Sequence, residues 1–114
     1  RVTVSHVGIE PSLFAARMQT SEVAAVAAAY KERFRGRMVM SHIDNLAYMR
    51  GIPLKLIAFE AMLSKYPSLR GKVALYQVGV RTTINEPVTD EVLEQMRAIV
   101  ARINDMYGKG HVRL

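Results

Sequence analysis

The sequence contains no cysteine. This excludes a disulfide framework, thiolate chemistry and zinc–thiolate sites, and it is typical of a cytoplasmic protein. No apolar run approaches the roughly 18 residues that a membrane span needs, and the amino terminus has no signal-peptide pattern. We therefore expect no membrane partner. The first residue is Arg1 rather than methionine, from which we expect a piece of a larger protein.

The histidines and acidic residues form no pattern that is typical of a metal or hydrolase site. His6 and His111 lie far apart, and no His-x-x-x-His pair or acidic cluster occurs, so no metal and no cofactor are predicted. Asp44 and Glu60 lack the pairing that glycoside hydrolysis uses. His42 is interpreted as a polar cap at the end of a strand, with an acid or base as the alternative. No catalytic residue is predicted.

The chain is basic, with a net charge of +6. Its densest run of cations is Lys31–Arg37, which invites a nucleic-acid interpretation. Cations at the carboxyl end of a helix offset the helix dipole, and no aromatic platform is interleaved with the other cations as single-strand binding would need. We therefore predict a helix end and no nucleic-acid partner. A basic nucleic-acid-binding module stays as an alternative hypothesis about function, supported by the charge alone.

Half of the residues are hydrophobic. Segments with the pattern of a strand alternate along the chain with segments with the pattern of a helix. Strands are predicted at Val2–His6, Met38–Ile43 and Val73–Val80, with a helix over Pro53–Tyr66 between the last two. A strand, a crossover helix and a second strand predict adjacent parallel strands in a right-handed unit. So few strands leave edges and faces uncovered, which again suggests part of a larger domain.

The stretch between the first two strands is rich in alanine and predicts two helices within residues 11–34. Thr20 or Ser21 would cap the second helix, because a hydroxyl at that position accepts a hydrogen bond from a backbone N–H of the first turn. Gly36 would end it, since glycine adopts the left-handed conformation of a helix terminus.

The last helix has the clearest ends. Thr89 is its predicted N-cap, two acidic residues follow in the first turn, and Gly108 ends it. Apolar residues recur at helical spacing in this helix and in the helix over Pro53–Tyr66, and we expect both stripes to form core. They are Leu56, Phe59 and Leu63, widened by Ile57 and Met62, and then Leu93, Met96, Val100, Ile103 and Tyr107.

The loop after the second predicted strand carries the residues that point to a ligand. It contains Asp44, Asn45 and Arg50, and Gly51 ends it just before Pro53 opens the next helix. Open α/β sheets bind ligands at the carboxyl ends of their strands, and the unpaired N–H groups of a helix N-terminus favour phosphate. The sequence therefore predicts an anion site in this loop.

Residues 45–53 read NLAYMRGIP, and several landmarks surround them in a fixed order. In that order they resemble the trehalose-6-phosphate synthases, which are retaining glucosyltransferases of the two-domain GT-B type. The loop pattern of that family is RLDYxKG followed by an aliphatic residue and proline. The other landmarks are VGIEP at 7–11, AFE at 58–60, Pro67, GKV at 71–73, QV at 77–78, RIN at 102–104 and YG at 107–108.

The resemblance implies an α/β fold, namely a partial Rossmann-like parallel sheet with flanking helices from a GT-B glycosyltransferase. Residues 1–114 would form the first part of the carboxy-terminal, nucleotide-sugar-binding domain. The acceptor-binding domain would precede these residues and the rest of the donor pocket would follow them, so the implied partners include the remaining domains of a larger protein. The implied ligands are the nucleotide sugar UDP-glucose and glucose-6-phosphate, and no cofactor is implied.

The resemblance also assigns phosphate-binding positions. In the family an Arg and a Lys five residues apart hold the departing donor diphosphate, where negative charge builds. These positions fall on Asn45, which carries no charge, and on Arg50, whose planar fork replaces a lysine's point charge. The family arginine that reaches the acceptor phosphate falls on Thr83. Arg81, two residues earlier, is either its substitute or an ordinary loop cation.

Two hypotheses about function follow from the resemblance. The first is glucosyl transfer from a nucleotide sugar to glucose-6-phosphate in trehalose biosynthesis, weakened because the charges expected at Asn45 and Thr83 are absent. The second is a non-catalytic regulatory or scaffolding domain of a larger trehalose-phosphate synthase-like protein. We expect the isolated chain to be inactive in either case.

Overall fold

The computed structural model describes residues 2, 8–81 and 86–113, except for the side chains of Tyr48 and of residues 86–89. The chain divides into two units, Arg1–Arg35 and Gly36–Leu114. The strand predicted at Val2–His6 lies outside the described residues. The elements are α1 (Pro11–Met18) and α2 (Ser21–Arg33) in the smaller unit, and β1 (Met38–Asn45), α3 (Ile52–Lys65), β2 (Val73–Val80), α4 (Glu86–Tyr107) and β3 (Val112–Arg113) in the larger one.

The smaller unit contains the two predicted helices, and the second is capped and ends where the sequence predicts. Thr20 is the N-cap of α2, and its Oγ1 accepts a hydrogen bond from the backbone N–H of Val23 at 3.4 Å. Gly36 follows the helix with a φ of 76°, a left-handed conformation that costs glycine nothing. Both the helix pair and its cap are therefore confirmed.

One parallel sheet of three strands, in the order β1-β2-β3, organises the larger unit. β1 and β2 pair along their whole length, from Met38 opposite Val73 to Asn45 opposite Val80. The prediction of adjacent parallel strands joined by a helix is confirmed, although β1 runs two residues further than predicted. Because the strands are parallel, the carboxyl ends Asn45 and Val80 lie at the same edge of the sheet.

The core lies between the sheet and the helices α3 and α4, which also contact each other. Ile57 was predicted to widen the apolar face of α3, which is wrong: it is exposed, and Ile52 is buried instead. The predicted start of α4 at Thr89 is also wrong, because the helix begins at Glu86 with Pro87 in its first turn, a position that proline tolerates. The buried helix residues are Ile52, Leu56, Phe59 and Leu63 of α3, and Val92, Met96, Ile99 and Ile103 of α4.

β3 is short, was not predicted, and is fastened largely by polar side chains. Asn104 of α4 accepts hydrogen bonds at its Oδ1 from the backbone N–H groups of His111 and Val112, each at 3.1 Å, and its Nδ2 donates to Val112 O at 3.0 Å. The buried ring of His111 accepts at Nε2 from the backbone N–H of Gly71 at 3.3 Å. Its Nδ1 therefore carries the proton and donates to Val73 O at 3.2 Å.

A bidentate ion pair joins the two helices that cover the sheet. Arg102 of α4 donates from Nε to Glu60 Oε1 at 2.8 Å and from Nη2 to Oε2 at 2.6 Å. These hydrogen bonds lower the pKa of the Glu60 carboxyl below its ordinary value, against the opposing effect of burial. In the part of the chain that the structure describes, no helix is long and apolar enough to cross a membrane.

Candidate functional site

The candidate site is the segment between β1 and α3, at the carboxyl edge of the sheet. Asn45 is the last residue of β1, and Tyr48–Arg50 form a single turn of 3₁₀-helix. Gly51 is the N-cap of α3, with a left-handed φ of 63°. The predicted position of this loop, after a strand and directly before a helix N-terminus, is confirmed.

Leu46 fastens this segment to the sheet. Its backbone N–H donates to Val80 O at 2.9 Å, which extends the β1–β2 ladder by one residue. Its side chain is only 2% exposed and packs over Gly79, where an added Cβ would lie 2.5 Å from Leu46 Cδ2. The missing side chain of Gly79 therefore provides the space in which Leu46 packs.

Arg50 lies at the carboxyl end of β1 and immediately before α3, as predicted. Its Nε is 3.4 Å from Asp44 Oδ1, and the two side chains are 55% and 24% exposed. Its Nη1 and Nη2 make no hydrogen bond or ion pair with the residues that the structure describes. Because Asp44 contacts the guanidinium only through Nε, the Nη1 and Nη2 groups can donate to a further anion.

Asn45 contributes its backbone to this arrangement. Its N–H donates to Asp44 Oδ1 at 2.9 Å, and its side chain is exposed. Successive side chains of a strand point to opposite faces of the sheet, so the side chains of Asn45 and Asp44 leave β1 on opposite faces. The structure thus pairs Arg50 with Asp44, and the diphosphate role of Asn45 and Arg50 stays a prediction.

A second cation, Lys55 of α3, lies near Asp44 and was not among the predicted site residues. Its Nζ is 2.5 Å from His42 Nδ1 and donates to Gln77 Oε1 at 3.1 Å. Burial lowers the pKa of the Lys55 ammonium below its ordinary value, and the charge of Asp44 partly offsets this effect. Gln77 is fully buried, and its Nε2 donates to Val78 O at 3.0 Å.

The interpretation of His42 as a strand cap is wrong, because His42 lies inside β1 with three strand residues after it. Its Nδ1 accepts from the Lys55 ammonium, so Nε2 carries the proton and lies 4.0 Å from Asp44 Oδ2. The sequence held one signal for this network. Lys55 follows Ile52 by three residues, within the apolar stripe of α3, and a cation on a buried stripe needs polar partners.

The second predicted phosphate site is only partly described. Arg81 directly follows β2 at the same edge of the sheet, and its Nη2 donates to Asp90 Oδ1 of α4 at 2.6 Å. Both of these side chains are more than half exposed. Thr83 lies outside the described residues. Among the residues that are described, no three His, Asp or Glu side chains come together as metal ligands.

Comparison with known proteins gives a family match over almost the whole chain. Residues 1–113 match the model of Glycosyltransferase family 20. The chain is 37% identical over 108 residues to alpha,alpha-trehalose-phosphate synthase (UDP-forming) A of Dictyostelium discoideum, a match that covers 95% of this chain and 15% of that protein. The chain therefore spans less than a fifth of the length of this relative.

Two solved structures share the fold. One is described as trehalose-6-phosphate from E. coli bound with UDP-2-fluoro glucose, and it matches with a TM-score of 0.79 and 25% identity over 92% of this chain and 24% of that one. The other is the N-terminal domain of Candida albicans trehalose-6-phosphate phosphatase, with a TM-score of 0.78 and 28% identity over 93% of this chain and 23% of that one. The predicted α/β fold class is confirmed.

Proposed function

We propose, from the premise that this chain belongs to glycosyltransferase family 20, that residues 1–114 form the first part of the nucleotide-sugar-binding domain of a cytoplasmic trehalose-phosphate synthase-like protein. In this proposal Arg50 contacts the diphosphate of UDP-glucose, and transfer of glucose to glucose-6-phosphate is slow. One observation carries it: Arg50 stands at the carboxyl end of β1, directly before the N-terminus of α3. The E. coli structure of the same fold, bound with UDP-2-fluoro glucose, supports the class of ligand.

The chemistry of glucosyl transfer explains why the rate would be low. Negative charge builds on the diphosphate as it leaves, and a guanidinium can meet two phosphate oxygens at once while helix N–H groups add to the field. Arg50 supplies a charge there and Asn45 supplies none. Loss of one preorganised donor at a developing charge costs about 3 kcal/mol, which is roughly 10²-fold in rate.

Arg81 is the proposed contact for the acceptor phosphate, with Thr83 as the alternative position. In the structure Arg81 is paired with Asp90. An exposed ion pair of this kind contributes little free energy, so a phosphate would be able to displace Asp90. The basic charge at this edge would then act on both ligands, Arg50 on the donor and Arg81 on the acceptor.

The second candidate function is a non-catalytic regulatory or scaffolding domain. Two observations favour it: Asn45 carries no charge at the end of β1, and the same fold occurs as the N-terminal domain of a C. albicans protein that is named for a phosphatase. A protein of this kind would retain the fold and the nucleotide-sugar contact without turnover. Binding alone therefore cannot separate the two candidates, and turnover has to be measured as well.

The binding test is calorimetric titration of UDP-glucose into the intact protein that carries this chain. We expect Arg50→Ala to weaken binding about tenfold or more, because a phosphate loses a full charge and two N–H donors, whereas Asn45→Ala removes no charge and changes little. Glu94→Ala is the matched control, since it breaks the exposed Glu94–Arg97 pair on α4. Equal effects of Arg50→Ala and Asn45→Ala, or none, would mean that the diphosphate is held elsewhere.

Turnover separates the transferase from the regulatory domain. Asn45→Arg should raise the rate of trehalose-6-phosphate formation mainly through kcat, and Thr83→Arg should act mainly on the KM for glucose-6-phosphate. A wild-type protein that already forms trehalose-6-phosphate as fast as the variant carrying both Asn45→Arg and Thr83→Arg would reject the weakened transferase. A double variant that binds UDP-glucose without turnover would support the regulatory domain.

A further inference from the structure

We infer that Asp44 is a positioning residue for the diphosphate site: it holds Arg50 in the orientation in which the guanidinium meets an incoming phosphate. The inference rests on the proposed function of Arg50. It extends that function to a residue to which neither the loop pattern nor the family resemblance gives a role.

The carboxylate of Asp44 is held more firmly than an ordinary surface carboxylate. Its Oδ1 accepts from the backbone N–H of Asn45 at 2.9 Å, and its Oδ2 faces His42 Nε2 at 4.0 Å. Asp44 itself belongs to β1 and pairs with Gly79 of β2 in the sheet, so its backbone is fixed as well. With a side chain that is only 24% exposed, Asp44 offers Arg50 an anchor of defined position.

A further cation steadies the same carboxylate from within the fold. Lys55 contacts His42 Nδ1 and Gln77 Oε1, so the ring of His42 is fixed with its Nε2–H on the side of Asp44. The four side chains Lys55, His42, Asp44 and Arg50 thus form a continuous row from α3 through β1 to the loop. Arg50 is the most exposed end of this row.

Arg50 gains from such an anchor because its own surroundings restrain it little. It belongs to a single 3₁₀ turn, and its side chain is 55% exposed. A free arginine of this kind has to be ordered when it binds a ligand, and that cost weakens binding by about three- to tenfold. Contact through Nε orders the side chain beforehand and leaves Nη1 and Nη2 for a bidentate contact with phosphate.

Asp44 also has an opposite effect on the ligand, which makes the inference sharply testable. Its negative charge repels a diphosphate, and this effect does not depend on Arg50. Where Arg50 is present, loss of the orienting contact should outweigh loss of the repulsion. Where Arg50 has been removed, only the repulsion is left, so the effect of removing Asp44 should change sign.

The experiment titrates uridine diphosphate into the intact protein in six forms: wild type, Asp44→Ala, Asp44→Asn, Arg50→Ala, and Arg50→Ala combined with Asp44→Ala or with Asp44→Asn. We expect Asp44→Ala to weaken binding about three- to tenfold. Asp44→Asn keeps a carbonyl oxygen near Arg50 Nε and should lose less. In the Arg50→Ala background, Asp44→Ala should raise the affinity, because only the repulsion is left to remove. Glu94→Ala is the control for loss of an acid from an exposed pair.

The outcomes separate this inference from the proposed function. If Asp44→Ala weakens binding equally with and without Arg50, Asp44 does not act through Arg50, and only the positioning role is rejected. If the wild-type protein does not bind uridine diphosphate, the proposed function is rejected and the positioning role with it. Should Asp44→Ala fail to fold, Asp44→Asn in the two backgrounds decides, since a change of sign supports the inference and equal effects reject it.

Discussion

Replacing Gly79 by alanine tests how tightly the candidate loop is fastened to the sheet. The φ of Gly79 is not in the left-handed region, so the backbone accepts alanine there. The obstacle is space, because the new Cβ would lie 2.5 Å from Leu46 Cδ2 and 3.0 Å from its Cγ. Leu46 is almost fully buried and cannot turn away without leaving the core.

The magnitude follows from two opposing effects. Overpacking of a core contact lowers the free energy of unfolding by about 1–3 kcal/mol. Alanine in place of glycine reduces the entropy of the unfolded chain and raises the free energy of unfolding by about 0.5–1 kcal/mol. We expect a net loss of about 1–2 kcal/mol, and a lower melting temperature by about 4–8 °C for each kcal/mol in a domain of this size. Gly8→Ala is the matched control, since no atom of the described residues lies within 4 Å of its added Cβ and its φ is not positive.

A double-mutant cycle with Leu46→Ala identifies the contact that is responsible. Leu46→Ala alone leaves a cavity and costs about 2–5 kcal/mol. In the double variant the added methyl occupies part of that cavity and no longer clashes. The double variant should therefore lose less stability than the sum of the two single losses, by about 1 kcal/mol or more. Urea unfolding followed by circular dichroism measures all four proteins. Strictly additive losses, or a Gly79→Ala protein as stable as Gly8→Ala, would refute the reasoning.

Two further variants probe the fold around the site. Glu60→Gln should flatten the acid limb of the stability curve: Arg102 lowers the folded-state pKa of Glu60, so the stabilisation is complete above the unfolded value of about 4.3 and is lost as the pH falls through the lower folded value. Urea midpoints between pH 7 and pH 3 check this, and an unchanged slope in the variant would contradict it. Gly51→Ala should cost about 1–2 kcal/mol because of its left-handed φ of 63°, and Gly51→Asn should cost less because asparagine tolerates that conformation. Thermal melts that show equal losses would argue against a backbone origin.

The elements that the sequence predicted are those with local signals. β2 is a short apolar run, and the pair of helices in residues 11–34 is rich in alanine with end signals at Thr20 and Gly36 of the second helix; the structure reproduces the positions of all three elements. β3 has two residues and no period of its own, because contacts from Asn104 and His111 create it. Such contacts join residues that are distant in sequence, and no local pattern announces them.

In the candidate site, too, the features with local sequence signals were predictable and the contacts between distant residues were not. Its place in the fold follows from the end of β1 and from Gly51, and both are local signals. The partner of Arg50 does not follow from local signals, since Asp44 and Asn45 are neighbours in sequence and only the strand register decides which of them faces the helices. The position of Lys55 near Asp44 needs that register too, because His42 lies opposite Gln77 in the sheet.

Asn104 also limits the edge of the sheet at which a further strand can pair. The N–H and C=O groups of Val112 that point away from β2 are already bonded to the Asn104 amide, so a strand arriving at that edge finds its pairing groups occupied. Within the described part of the chain β1 pairs with β2 alone, and its other edge is the one that can accept a neighbour. A parallel strand that follows β3 in the sequence, if added there, would reverse the strand order beside β1. The loop of Arg50 would then lie at a topological switch point, the position at which open α/β sheets form their ligand crevice.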